Sequence, residues 1–429
     1  MAAPVTPVDE SPVQGHGSLA PPGRSTRQAA LRLLSDVLRK RRPLDHPSGL
    51  DPRDAGFAFA IASETMRRFG QLDALIRSFV AKLPPPHKAG PAIEIMLMGA
   101  CELVFLDVAP HAAVDGANRL AQADDKAVHF KPLINAVLRR VAREGKEAVA
   151  KQDAPRLDTP DWLWARWNAA YGEQARDIAL AHLGRAPLTI VTKEAPRFDA
   201  VRRMDAERVE TMPGFAEGEF WVQDAAATLP AHLLGAVKGK RVIDLCAAPG
   251  GKTAQLASLG ADVTAVERDA TRLARLEENL ARLKLKATLI NDDVRDARVE
   301  PAPLVLLDAP CTATGTIRRH PELPWIKSAS DITLVAGASA ELFDSAAAMT
   351  APGGVLVFAV CSLEPEEGPE QVDAFLAAHP EFAREALVVN DVFGHHEFIT
   401  ANGDLRTLPC HLAELGGMDG FYAARLRRN

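Results

Sequence analysis

Arg241-Val242-Ile243-Asp244-Leu245-Cys246-Ala247-Ala248-Pro249-Gly250-Gly251-Lys252-Thr253 reads as a buried strand handing over to a helix. The apolar run Val242 to Leu245 stops at small residues and a Pro-Gly-Gly turn, and helix-compatible residues, Thr253 to Leu259, follow. A loop with so few side chains lets backbone N–H groups and the positive end of a helix approach a ligand closely. A tight βα turn that binds nothing would use the same residues. There is no G-x-G-x-x-G dinucleotide fingerprint, and the glycine spacing does not fit the G-x-x-x-x-G-K-[ST] phosphate loop. What remains is a nucleotide-like ligand without a pyrophosphate.

Four more strands are predicted downstream, and each ends on a polar or reactive residue. Asp262 to Val266 ends at Glu267, roughly 20 residues past the glycine loop, where doubly wound folds grip ribose hydroxyls. Ala287 to Ile290 ends in Asn291-Asp292-Asp293, Leu304 to Leu307 in Asp308-Ala309-Pro310-Cys311, and Gly354 to Val360 in Cys361-Ser362. Open α/β sheets bind ligands at the carboxyl edge of their strands. Carboxylates and cysteines gathered on that edge point to an adenosine-containing cofactor on a Rossmann-like sheet, with S-adenosyl-L-methionine as the leading candidate. Strands and helices alternate from Lys240 to about Ala378, as a parallel sheet with crossover helices requires. His396 to Thr400 and Gly420 to Leu426 are predicted as an antiparallel edge pair, because no long helix separates them.

The chain has 429 residues, enough for two or three domains. With 47% hydrophobic and 25% charged residues it has the composition of a soluble globular protein. No apolar run approaches the ~18 residues of a membrane span, so no membrane partner is expected. Met1 to Pro22 carries acids, prolines and glycines without an apolar segment, which reads as a disordered tail and not a secretory signal. Five cysteines without a C-x-x-C pair suggest reduced thiols in a cytoplasmic protein, and no metal site. The net charge of −6 neither supports nor excludes an RNA partner. Basic pairs such as Arg67-Arg68, Arg139-Arg140, Arg202-Arg203 and Arg318-Arg319 read as solvated faces.

From Thr26 to Glu144 apolar residues recur at three- and four-residue spacing, which predicts an all-helical domain. Its most apolar helix carries Ile93, Met96, Leu97, Cys101, Val104 and Phe105, with Cys101 as a core thiol. A helix through Leu72, Leu75, Ile76, Phe79 and Leu83 is expected to end at Pro84-Pro85-Pro86. Pro155 to Gly239 reads as a small mixed module, with an aromatic helix (Trp162, Trp164, Trp167, Tyr171) and strands at Leu188 to Thr192 and Phe220 to Val222. Those aromatics, beside Arg202-Arg203, would either stack on bases or pack the module's own interior. The expected division is a tail over 1–25, helices over 26–146, the small module over 155–232, and a cofactor-binding domain over 233–429.

Two cysteines on one predicted cofactor edge suggest a specific reaction. C5 of cytosine is not nucleophilic until something adds at C6. A cysteine thiolate that adds there makes C5 enamine-like and able to take a methyl group from a sulfonium. A carboxyl group near ring N3, the natural task for Asp308, would stabilise charge as the adduct forms, and a second thiol would assist its breakdown.

These stretches resemble the Nop/Sun family of RNA (cytosine-5)-methyltransferases. Asp244 to Thr253 is similar to the family's cofactor loop, Asp308-Ala309-Pro310-Cys311-Thr312-Ala313-Thr314-Gly315 to its second-cysteine motif, and Val360-Cys361-Ser362 to its nucleophile motif. Gly315 to Pro321, Asp419-Gly420-Phe421-Tyr422 and Asn135 to Arg139 resemble the branch that acts on bacterial 16S ribosomal RNA and carries a NusB-like helical domain. The resemblance implies Cys361 as nucleophile and Cys311 as the residue aiding release. It implies a cofactor held by Cys246, Ala247, Ala248, Pro249, Gly250, Gly251, Lys252, Glu267, Asp293 and Asp308, and RNA, not DNA, as the partner. Asn291-Asp292-Asp293 lacks the family's usual glycine, so Asp292 competes with Asp293, and Ile190 to Lys193 lacks the family's Arg-Val-Asn. A DNA cytosine-5 methyltransferase would instead use Cys311 as nucleophile. A protein or small-molecule methyltransferase would need neither cysteine, and a non-catalytic RNA-binding protein would need only the helical domain.

Overall fold

A computed structural model describes residues 24–193, 201–203 and 208–429. The tail up to residue 23, and the side chains of Arg202 and Arg203, lie outside the described residues. Chain contacts divide the molecule into two units, residues up to 39 with 44–152, and 40–43 with 153–429.

The first unit is helical, with long helices at Arg24–Lys40, Pro52–Arg67, Phe69–Phe79, Ala92–Val104, Pro110–Gln122 and Lys131–Ala150. Ala92–Val104 is its centre, buried along almost its whole length. Cys101 is fully enclosed there, and burial pushes its thiol far above the ordinary range. Glu102 on the same helix accepts Arg27 Nε at 2.9 Å and Nη2 at 2.7 Å, a forked pair in which both members are buried. The helix expected to reach Leu83 stops at Phe79, with Val80 already extended at φ −128° and ψ 109°. The three prolines act at a distance: they lack the N–H groups that the carbonyls of Val80, Ala81 and Lys82 would need for another turn.

The second unit holds two sheets. β1 (Leu188–Thr192), β2 (Val201–Arg203) and β3 (Phe220–Val222) form an antiparallel sheet in the order β2-β1-β3. The larger, Rossmann-like sheet is built from β4 (Arg241–Leu245), β5 (Asp262–Val266), β6 (Thr288–Ile290), β7 (Ala302–Asp308), β8 (Thr350–Val360), β9 (Phe382–Arg384), β10 (Leu405–Thr407) and β11 (Phe421–Arg428). Its order is β10-β11-β8-β7-β4-β5-β6, with β9 also on β11. β8 to β6 pair in parallel, and β11 runs antiparallel to β8. Chain order reverses between β4 and β7, the place where such sheets open a crevice. Alternate residues pack opposite faces: Val242, Leu304, Leu306 and Val357 on one, and Ile243, Val305, Leu307 and Phe358 on the other.

The edge differs from expectation. His396–Phe398 is a 3-10 turn, and only Ile399 makes a bridge, to Leu405. β11, the expected partner, is already paired along one side by β8 and along the other by β10 and β9, so 396–400 meets the sheet only at that bridge to the outer side of β10. The aromatic helix Asp161–Tyr171 turns inward: Trp167 is buried and stacks obliquely on His182.

Candidate active site

Because β4 to β8 run in parallel, Cys246, Glu267, Asp293, Asp308 and Cys361 all emerge at one edge. They and Cys311 line a cavity of about 210 Å³, whose apolar wall is supplied by Val266, Val294 and Leu342. Asp292 is not among the lining residues. A larger cleft of about 790 Å³ adjoins it, and Ala248, Arg272, Asp308 and Cys361 line both spaces. The glycine loop therefore divides its work. Cys246 and Ala248 face the smaller cavity, whereas Ala247, Pro249, Gly250, Gly251 and Lys252 face the cleft.

The loop's shape follows from its residues. Gly250 caps the helix Gly251–Ser258 with φ +101°, a conformation that favours glycine, and a Cβ there would meet Leu276 Cγ at 2.9 Å. Glu267 is buried beneath the loop; Oε2 accepts Ala248 N at 3.3 Å and Oε1 accepts Asp269 N at 3.0 Å. Asp293 accepts Arg295 Nε and Nη2, each at 2.9 Å, and this hydrogen bonding holds its carboxyl down at about 2. Asp244, in the middle of the motif, accepts Thr253 Oγ1 at 2.6 Å, and burial raises its carboxyl to about 7. Lys252 Nζ lies 2.7 Å from Asp308 Oδ2 and 5.1 Å from the centre of the Phe421 ring. Burial, followed by the nearby Asp308, raises the Cys246 thiol to about 12.

Cys311 Sγ and Cys361 Sγ stand 3.5 Å apart. Two anions so close repel each other, so the pair retains a proton. Cys311 is the thiol held well above its usual range, first by the hydrogen bond to Cys361 and then by burial. The loops that carry the two sulfurs are laced together. Gly315 N donates to Cys361 O at 3.0 Å, Gly420 N donates to Gly315 O at 2.8 Å, and a Cβ on Gly315 would sit 2.0 Å from Gly420 O. Leu363 N donates to Thr314 Oγ1 at 3.0 Å.

Several supporting residues were not read from the sequence. Glu364, fully buried, accepts Arg166 Nε at 2.6 Å and Trp167 Nε1 at 3.1 Å, and Tyr171 Oη donates to Leu363 O. Arg406 Nη1 donates to Ser362 O at 2.6 Å. The aromatic helix thus grips the segment after Cys361, with Trp167 and Tyr171 spent on the protein's own backbone and side chains. Arg318 corrects the reading of a solvated pair: it is 2% exposed, faces Asp224 and Asp419 at 3.7 Å, and donates to Gly416 O at 2.5 Å. Its neighbour Arg319 lines the cleft and pairs with buried Asp419. No local signal marks these roles, since Glu364 to Glu367 and Arg318-Arg319 have the composition of exposed turns.

The comparisons with known proteins bear on both units. Residues 231–427 match the family "16S rRNA methyltransferase RsmB/F", and residues 24–143 match the "NusB family". The ribosomal RNA small subunit methyltransferase B of Pseudomonas putida is 37% identical over 93% of this chain and 98% of its own length. The protein of that name from Vibrio cholerae is 36% identical over 88% of this chain and 90% of its own. In three dimensions the crystal structure of PH0851 covers 93% of this chain and 98% of its own, with a TM-score of 0.73 at 23% identity, a likeness of fold.

Proposed function

The chain belongs to the RsmB/F family of 16S rRNA methyltransferases, and on that premise we propose that it methylates C5 of a cytosine in 16S rRNA through a covalent Cys361–C6 adduct. The observation that carries this reading is the pair of sulfurs 3.5 Å apart, with Cys361 at the junction of a carboxylate-lined cavity and an open cleft.

The smaller cavity suits S-adenosylmethionine. Its wall offers Val266, Val294 and Leu342 to an apolar ring, and Glu267 and Asp293 to hydroxyl and amino groups. Bound there, that group supplies an electrophilic methyl on a positively charged sulfur. The chain's own residues prepare the base. Cys361 adds to C6 as the thiolate, its proton having gone to solvent, and the C5–C6 π pair moves toward C5. Asp308 faces the ring from the same junction, and Lys252 beside it supplies an N–H donor where negative charge builds on the pyrimidine. Cys311, once its own proton has gone to water, takes the C5 proton as Cys361 leaves. Addition at C6 requires the base outside the stack, so the substrate is an unpaired or flipped cytosine.

Among the described residues no helix is long and apolar enough to cross a membrane. We place the protein in the cytoplasm, where its rRNA substrate is made and where its thiols stay reduced.

The test is labelled methyl transfer to 16S rRNA, followed by digestion to nucleosides. Wild type should yield 5-methylcytidine. Cys361→Ala should lower transfer by at least about 1,000-fold, and Cys311→Ala should accumulate a protein–RNA adduct that survives denaturation. Full activity in Cys361→Ala would remove it from the role of nucleophile.

A further inference from the structure

Glu367 is 1% exposed and lies in the 3-10 turn Pro365–Glu367 that follows the nucleophile segment. Its two carboxyl oxygens take two donors from one residue of the other cysteine loop: Thr312 N at 2.8 Å and Thr312 Oγ1 at 2.6 Å. Thr312 is itself fully buried and directly follows Cys311. These partners are neutral, and burying a carboxylate among neutral groups is costly. A carboxylate nonetheless fits, because two converging donors need two acceptor atoms on one side chain, which Gln cannot offer.

The two loops do not depend on Glu367 equally. The segment after Cys361 also meets Glu367 through the Ser362 hydroxyl, but it has further anchors in Tyr171, Arg166, Trp167 and Arg406. On the Cys311 side, Thr312 hydrogen-bonds Glu367 through both its backbone N–H and its hydroxyl. Loosening Glu367 should therefore move Cys311 more than Cys361.

We propose that Glu367 is a positioning residue for adduct release: it fixes the Cys311 sulfur where it can take the C5 proton while Cys361 still holds C6. The inference rests on the cytosine-C5 reading. In the adduct, Cys361 is a neutral thioether, so its hydrogen-bonding and charge effects on Cys311 are gone, and Cys311 yields its proton to water. The Cys311 thiolate then takes the proton from C5. The C5–H pair becomes the C5–C6 π bond, the C6–S bond breaks, and its pair returns to Cys361 as thiolate. One proton reaches solvent per turnover and nothing is oxidised or reduced.

The experiment compares wild type, Cys311→Ala, Glu367→Ala and Glu367→Gln on 16S rRNA with labelled methyl donor, scoring methylated product and denaturation-resistant adduct separately. Glu367→Ala should slow turnover about 10- to 100-fold and accumulate adduct as Cys311→Ala does, with KM for RNA little changed. Glu367→Gln should recover part of the rate. It should also move the pH midpoint of release downward, because Glu367 no longer opposes ionisation of Cys311. The other titratable and charged groups on that cavity, Cys361, Asp308, Cys246, Glu267, Asp293, Arg268 and Arg272, are the same in both variants. If Glu367→Ala fails to fold, Thr312→Val removes one of the two contacts and should give the same pattern in weaker form. Adduct formation and turnover falling together, or wild-type turnover in Glu367→Ala, would overturn the inference. An inactive wild type would instead overturn the cytosine-C5 reading itself.

Discussion

The two halves of the site are built in different ways. The half proposed to hold the cofactor, Cys246 to Asp293, consists of loops that directly follow their own strands, and its shape comes from local features: a left-handed Gly250, a buried Glu267 beneath Ala248 N, and Asp293 closed on Arg295 two residues away. The cysteine half is assembled from afar. Its two sulfurs are 50 residues apart in sequence, and the segment beside Cys361 is held by Arg166 and Trp167, which lie nearly 200 residues earlier. The cofactor half needs the sheet only as a platform. The cysteine half needs correct packing between separate elements, so small steric errors should fall mainly there.

The sharpest way to break this comparison is Gly315→Ala. Its methyl group cannot fit 2.0 Å from Gly420 O and 2.9 Å from Cys361 O, so the backbone between the two cysteine loops must shift. Turnover should fall by at least about 100-fold, since displacements of about 1 Å suffice for that. Methyl-donor affinity, read by calorimetry, should stay near wild type. A parallel loss of donor affinity would show that the halves are one cooperative structure.

The reverse experiment is Glu267→Ala. Donor affinity should weaken by about 10- to 100-fold, the worth of one or two hydrogen bonds to a charged group. At saturating donor, adduct formation measured by rapid quench should remain close to wild type. Loss of the adduct even at saturation would mean that Glu267 serves the cysteine half as well.

The smallest effect tests the floor common to both halves. Asp244, at about 7 against an ordinary 3.8, keeps a proton in the folded chain that the unfolded chain releases at lower pH. Its contribution to stability is full below about pH 4 and is lost as pH rises through about 7. Over that window the loss is at most on the order of 4 kcal/mol. Asp244→Asn can still accept Thr253 Oγ1, and its denaturant-derived stability should lack this slope. Identical pH profiles for the two proteins would place Asp244 in a more solvated setting.

Most of the fold was legible because its signals are local or periodic. Three- and four-residue spacing announced the helices, and apolar runs closed by Gly-rich or acidic ends announced β4 to β8. The failures occurred where pairing partners decide the outcome. His396 to Thr400 had a strand's composition but could not pair with β11, because β10 and β9 had taken its free side. The helix at Phe79 stopped early because donors were missing several residues ahead. Arg318-Arg319 looked solvated, yet the two share a buried acid, with one side chain sealed and the other open to the cleft.

The sequence by itself determined which groups are present at the strand ends, because a parallel sheet with crossover helices brings every carboxyl end to one edge whatever else the chain does. That two thiols and a carboxyl gather at that edge was readable from that rule alone; the chemistry assigned to them is our proposal. Tertiary structure alone decided how near the sulfurs stand, how far the hydrogen bond to Cys361 and burial raise the Cys311 thiol, and that Glu364 and Glu367 are buried braces. Those outcomes depend on distance, burial and contacts across the fold, and none of the three is a property of a residue's neighbours in sequence.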